Sequence, residues 1–249
     1  MMDESRNSLI LESGRLANAG DFGADALEVN SRLSELCPTA EVRMRYAGCL
    51  EEAGRFEEAR GVHLLVLEGS RDKKHEETIR GRIRTIDEQL KAASTHDFGA
   101  AWARAQELKL AAEPRLALIW HERTTELFTT RSQGAKTFMS MAATLRTLRR
   151  FKDAVTAAQR SIEIDRDPRT NLGGYATYIG ALGDTRALAM AVQYANKLLA
   201  ANPHDQVALS TAGAAFHALG IKNNDATLLE KAARCKRAAM AIASRERRQ

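Results

Sequence analysis

The sequence is poor in the residues that most β-rich folds depend on. Aromatic residues make up only 5% of the 249 residues, and there are four prolines. β-Sandwiches and barrels are built from many short strands rich in aromatic and β-branched residues, joined by Gly/Pro-rich turns, so this composition argues against them. No run reaches the roughly 18 apolar residues that a membrane-spanning helix needs. The sequence therefore favours helices and predicts no membrane contact.

Cysteine is also scarce, and its spacing excludes two common uses. Cys37, Cys49 and Cys235 are odd in number and form no Cys-x-x-Cys pair, so neither a disulfide framework nor a zinc site is indicated. Residues 1–6 are acidic and polar and lack the charged-then-apolar order of a secretory signal. We expect a reducing, cytoplasmic location.

Signatures of catalysis and cofactor binding are missing as well. Residues 97–99 and 21–23 spell the kinase tripeptide Asp-Phe-Gly, but the glycine-rich loop, strand lysine and His-Arg-Asp motif of a kinase are absent. No phosphate-binding or dinucleotide-binding glycine motif occurs. His121-Glu122 lacks a second histidine, because position 125 is threonine. The sequence predicts no catalytic residue, no metal and no cofactor.

Charge is distributed unevenly along the chain. Residues 1–100 hold 14 Lys/Arg and 19 Asp/Glu, a net charge of −5, whereas residues 101–249 hold 23 and 13, a net charge of +10. A basic half attracts acidic peptides, phosphates or nucleic acid; the alternative is a solvated Arg-rich surface. Opposite charges also suit head-to-tail pairing of copies, and the sequence leaves the oligomeric state open.

What the chain does contain is a repeat. Gly-Asp-Phe at 20–22 recurs 34 residues later as Gly-Arg-Phe at 54–56. In the other half, apolar and small residues keep the same offset, with Met141, Ala142 and Leu145 leading to Tyr175, Ala176 and Ile179. Apolar steps of three and four residues are typical of one helix face, and a 34-residue period indicates a helix–turn–helix unit.

The pattern within a unit has a physical reason. A small residue in the first helix lets its partner helix approach closely, and glycine can end that helix in a left-handed conformation. The second helix then buries a face of small and apolar residues. We expect this face at Ala59, His63 and Val66, and at Ala154, Ala158 and Ser161. Pro38, Pro168 and Pro203 follow the predicted second helices, where proline commonly stops a helix.

On these residues the chain resembles the tetratricopeptide repeat family. Residues 135–168 and 40–71 are the best units, and 7–38, 169–203 and 206–240 are looser. The resemblance implies an all-α fold, an α-α superhelix in which about thirteen helices form a solenoid of antiparallel pairs. We expect a single solenoid over 1–249, with N-terminal repeats in 1–71, irregular middle helices in 72–134, and C-terminal repeats in 135–249 that end in a basic capping helix. A segment at 184–191 is expected to insert a few residues before a second helix.

The resemblance also implies a binding groove. In this family certain positions of each first helix line a concave surface, and here they include Lys136, Met139, Ser140, Arg146, Thr170, Gly173, Gly174, Thr177, Ser210 and His217. The small residues leave room for a peptide backbone or an inserted helix, with Lys136 and Arg146 positioned to meet carboxylates. The alternative is that Gly173 and Gly174 only permit close helix packing. The Lys/Asn clamp by which some family members bind chaperone tails is absent.

We therefore predict a non-enzymatic scaffold or adaptor that binds a segment of another protein in the concave groove, with Lys and Arg favouring an acidic segment. The alternative from the charge distribution is RNA or DNA binding by the basic C-terminal half. Helical repeats can read nucleic acid, but most aromatics needed for stacking fall at predicted core positions here.

Overall fold

The protein is described by a computed structural model over residues 2–19, 22–70 and 72–246, with side chains from residue 7 onward. Gly20 and Asp21, which belong to the predicted repeat, and Arg247 and Arg248, which belong to the predicted basic C-terminal segment, lie outside the described residues. The described part contains thirteen α-helices and no strand. None of these helices combines the length and apolar character needed to cross a bilayer. The helices are α1 Met2–Ala19, α2 Ala24–Leu36, α3 Ala40–Glu52, α4 Phe56–Gly69, α5 Lys73–Ser94, α6 Phe98–Leu110, α7 Pro114–Leu127, α8 Arg131–Thr147, α9 Phe151–Ile164, α10 Leu172–Asp184, α11 Leu188–Ala201, α12 Gln206–Asn223 and α13 Ala226–Glu246.

Contacts divide the chain into two compact units, Met1–Ser94 and Thr95–Gln249. The boundary lies inside the segment 72–134 that the sequence marked as irregular. In each unit, every helix packs on the next one along the chain. In the second unit the first helices of successive pairs, α8, α10 and α12, also contact one another. The predicted all-α class, with stacked helix pairs, is therefore confirmed in each unit.

One turn recurs between paired helices. Its central residue has a left-handed φ between 52° and 72°. The next residue donates its amide hydrogen to the carbonyl of the residue five positions before itself, at 2.8–2.9 Å. This pattern satisfies carbonyls that a helix end would otherwise leave unpaired. The central residues are Gly54, Ala112, Arg149, Arg186 and Asn224. Among these five turns the expected glycine is thus present at Gly54 alone, and Gly20, between α1 and α2, lies outside the described residues. The turn pairs α3 with α4, α6 with α7, α8 with α9, α10 with α11, and α12 with α13, and α5 is the odd helix of the middle segment.

The predicted 34-residue period is wrong for the second unit. Successive left-handed residues are 37 residues apart from Ala112 to Arg149 and from Arg149 to Arg186, and 38 apart from Arg186 to Asn224. The extra residues amount to about one helical turn, so they preserve the buried face of each helix. They do not lie at 184–191, because the turn at 185–187 is as long as the turn at 148–150.

Four positions recur in every one of these pairs, and in four of the five pairs they are buried. Counted from the left-handed residue, they lie seven residues before it and five, nine and twelve residues after it; we call them the stacking positions. The expected buried faces at Ala59, His63 and Val66 and at Ala154, Ala158 and Ser161 are confirmed. In the first four pairs every stacking residue is at most 3% exposed: Ala47, Ala59, His63, Val66; Ala105, Ala117, His121, Thr124; Ala142, Ala154, Ala158, Ser161; and Ile179, Ala191, Ala195, Leu198.

The last helix, α13, was expected to be a basic cap. In the structure it is the second helix of the α12/α13 pair, and its role as a cap stays a prediction. Its Ala232, Cys235 and Ala239 are buried in the main apolar cluster of the second unit. Gly213 of α12 permits a close approach here, since a Cβ at this position would lie 3.3 Å from Cβ of Cys235.

Candidate functional site

The ten residues predicted to line one groove separate into three groups. Lys136, Met139, Arg146, Gly173 and Thr177 lie on the accessible face shared by α8 and α10. Ser210 and His217 lie on another face of α12, toward α13. The third group belongs to neither surface and consists of Thr170, Ser140 and Gly174.

The glycines of α10 are covered by side chains from α8. A Cβ at Gly173 would lie 2.5 Å from Sδ of Met139, and a Cβ at Gly180 would lie 2.7 Å from Nη1 of Arg146. A Cβ at either point would require the flexible end of Met139 or Arg146 to shift. In the structure the small residues at these two points lie beneath long side chains of the neighbouring helix, as the close-packing alternative expects.

Gly174 and Thr170 serve the link between α9 and α10. A Cβ at Gly174 would lie 2.6 Å from Oγ of Ser161, beside the amide of Asn171. Asn171 caps α10 by accepting the amide hydrogen of Gly174 at 3.2 Å, and its Nδ2 donates to the Ser161 carbonyl at 3.0 Å. Thr170 donates its hydroxyl hydrogen to the Asp165 carboxylate at 2.8 Å. Through these contacts both residues stabilise the loop between α9 and α10.

Ser140 belongs to a buried polar cluster between α6, α7 and α8. Its Oγ accepts from Nε2 of Gln106 at 3.1 Å and lies 3.4 Å from Nε2 of His121. Burial, with a smaller contribution from the charge of Lys109, lowers the pKa of His121 to about 4. The imidazole is 0% exposed and therefore neutral near pH 7. Ser140 and His121 are buried and Gln106 is partly exposed, and the polar contacts among them link α6, α7 and α8.

An open cleft lies between α10 and α12, and we call it the concave cleft. Its volume is about 430 Å³. Its lining combines small residues from both helices with Arg146, which carries the only charge among the described lining residues: Arg146, Ala176, Ile179, Gly180, Gly183, Leu188, Ala191, Thr211, Ala214, Ala215 and Ala218. A cleft with a floor of small side chains accepts a segment that brings its own larger ones.

Arg146 is held in place at the wall of this cleft. Its Nε donates to Oδ2 of Asp184 at 2.6 Å, and the two side chains are 36% and 30% exposed. The guanidinium lies against Gly180, with Nη1 and Nη2 both close to that backbone. Asp184 binds the guanidinium through Nε, and Nη1 and Nη2 lie over Gly180, which also lines the cleft.

A second groove runs between α12 and α13, and we call it the end groove. Its volume is about 760 Å³. Ser210 and His217 line it from α12, and Lys236 and Met240 line it from α13. The sequence did not indicate Asp184 or Gly183 as lining or wall residues, because a lone charge or glycine on a helix carries no signal of what it faces.

Among the described residues, no group of three or more His, Cys, Asp or Glu side chains is placed to hold a metal ion.

Comparison with known proteins identifies the fold. The sequence matches no family model, and no curated protein is similar to it. The structure is similar to the crystal structure of MamA, with a TM-score of 0.50 and 13% identity over 82% of this chain and 97% of that one. Lower scores are found for YrrB, a TPR protein with an unusual peptide-binding site (TM-score 0.47, 16% identity, 88% and 100% covered), and for a tetratricopeptide repeat protein from Parabacteroides merdae (0.45, 13%, 92% and 78%). With the recurring helix pair, the likeness to MamA shows a tetratricopeptide-like helical-repeat fold.

Proposed function

We propose that the protein is a non-enzymatic adaptor whose second unit binds a segment of a partner protein in the concave cleft. The observation that carries the proposal is the geometry of Arg146, a single charged group fixed at the wall of a cleft with a small, apolar floor. Fold alone does not define a function, so the proposal depends on this site.

The chemistry of the wall points to an acidic residue in the partner. Guanidinium groups bind carboxylates through two parallel N–H donors, and the Nη edge of Arg146 offers such a pair. Asp184 orients this edge before binding, which lowers the entropy lost when a partner docks. The partner segment is therefore expected to place an Asp or Glu against Arg146 and larger apolar side chains over Gly183 and Ala214.

The test is affinity purification with the full chain as bait, using wild type, Arg146→Ala and Arg160→Ala. Arg160 is the matched control, because it is an exposed arginine of α9 that pairs with Glu163, away from the cleft. A partner of the concave cleft is recovered by wild type and by Arg160→Ala, and its recovery falls about tenfold or more with Arg146→Ala, as expected when a charge-assisted bond is lost.

Two results would contradict the proposal. Equal recovery of every partner by all three baits would show that Arg146 contacts none of them. Recovery that disappears after nuclease treatment, and falls equally with both arginine variants, would instead support nucleic-acid binding by the basic surface.

A further inference from the structure

The last helix pair breaks the burial pattern that the other four share. At its stacking positions it has His217, Leu229, Ala233 and Lys236. His217 and Lys236 are exposed, and Leu229 and Ala233 are half-buried. The corresponding residues of the preceding pair, Ile179, Ala191, Ala195 and Leu198, are at most 3% exposed.

The difference arises from what covers each pair. Within the second unit, α8 packs on the α6/α7 pair, α10 on α8/α9, and α12 on α10/α11. No helix of the described residues occupies the corresponding place on α12/α13. All four stacking residues of this last pair line the end groove, so the groove is the position at which a further helix would pack.

We infer that the end groove binds an α-helix of a partner protein, amphipathic and acidic, which docks as the next helix of the stack. The dimensions fit such an occupant. The lining residues of α12 run from Gln206 to His217, a length of about 17 Å or three helical turns. A helix of this length presents three or four side chains on one face, at i, i+3/i+4 and i+7.

The small residues of the end groove favour large apolar side chains on the docked face of the partner helix. Ala233 and Ala243 line the groove and leave its volume unfilled. Met240 is 60% exposed at its rim, and methionine adapts readily to the shape of an apolar partner. Leu, Ile or Phe of a docked helix would fill this space.

The charge of the end groove favours particular residues on the flanks of the partner helix. Where the preceding pair has Ile179 and Leu198, this pair has His217 and Lys236, and no carboxylate is among the described residues that line the groove. Burying Lys236 beneath an apolar helix would be costly, whereas a carboxylate opposite it offsets the loss of hydration. Carboxylates on the flanks of the partner helix are therefore part of the proposal.

The experiment uses two fluorescein-labelled helical peptides of about 14 residues that share one Leu pattern at i, i+3, i+4 and i+7. One carries Glu on its flanks and the other carries Lys. Fluorescence anisotropy with the full chain is expected to give at least tenfold tighter binding of the Glu peptide. Lys236→Glu should abolish or reverse this preference. Ala233→Trp, whose side chain would occupy the end groove, should weaken binding of the Glu peptide at least tenfold while its circular dichroism spectrum stays unchanged.

Arg234→Glu is the control, because Arg234 is a 63% exposed residue of the same helix that does not line the groove. Its effect on the preference should be less than threefold. Equal binding of both peptides, binding of neither, or equal effects of Arg234→Glu and Lys236→Glu would overturn the inference. Light scattering that shows a dimer dissociated by Lys236→Glu would also overturn it, since a second copy would then be the occupant. Arg146→Ala should leave peptide binding unchanged, so this test is independent of the concave cleft.

Discussion

The recurring left-handed turn predicts that one substitution, Gly to Ala, has opposite effects at two sites six residues apart. Gly48 lies inside α3, and Gly54 is the central residue of the turn that follows it, with φ of 72°. A Cβ at either position would meet no atom within 4 Å. Backbone conformation alone therefore decides the two outcomes.

The magnitudes follow from the two conformations. In the interior of a helix, alanine is more stable than glycine by about 1 kcal/mol, so Gly48→Ala should raise the free energy of unfolding by that amount. At a left-handed position, a Cβ costs roughly 1–2 kcal/mol, partly offset by the smaller entropy of the unfolded alanine chain. Gly54→Ala should therefore lower the free energy of unfolding by about 1 kcal/mol, which separates the two variants by about 2 kcal/mol.

The assay is urea unfolding of the full chain, followed by circular dichroism at equal protein concentration. Both glycines belong to the unit Met1–Ser94, so the two variants report on the same transition even when the two units unfold separately. Ala112, Arg149 and Arg186 adopt the same turn without glycine, so Gly54→Ala is expected to remain folded. If Gly54→Ala stabilises the protein as Gly48→Ala does, the left-handed turn and the pairing of α3 with α4 are refuted.

Two further predictions test the second unit. Gly174→Ala should lower the free energy of unfolding by about 2 kcal/mol, because its Cβ would displace Asn171 and Ser161 and leave buried polar groups unpaired. Gly183→Ala is the control, because the space around Gly183 is open, and it should be neutral or stabilising. Equal effects of the two variants in urea unfolding would contradict this packing. Burial lowers the pKa of His121 from 6.5 to about 4, so the unfolded chain binds a proton that the folded chain does not, and stability should fall by about 2 kcal/mol between about pH 7.5 and pH 5. His121→Leu should remove most of this loss, while replacing the exposed His204 by Asn should leave it unchanged.

Apolar periodicity was sufficient to predict the helices and their buried faces. The spacing of Ala154, Ala158 and Ser161 indicated one helix face, and all three are fully buried. Two features of the repeat were not visible in this way. Ala112, Arg149 and Arg186 carry no sequence signal for a left-handed turn, and one added helical turn preserves the apolar pattern while shifting the register by three residues.

The site was harder to predict than the fold, because it depends on side chains of neighbouring helices. The sequence placed Arg146 on the groove but could not show that Asp184 holds its Nε, or that Met139 covers Gly173. It also placed His217 in the same groove as Arg146. With the register corrected, His217 becomes a stacking residue of the last pair and lines the end groove instead.

The most direct test of the proposed function is site-specific photo-crosslinking from the concave cleft. A benzoylphenylalanine at Leu188, a half-buried lining residue, and another at the exposed Arg160 on α9 would be compared in the full chain with the partner recovered by affinity purification. Mass spectrometry is expected to find one segment of the partner, containing Asp or Glu, joined to position 188 and not to position 160, and lost with Arg146→Ala. Equal crosslinking from both positions, or a crosslink from 188 that Arg146→Ala leaves unchanged, would contradict binding in the concave cleft.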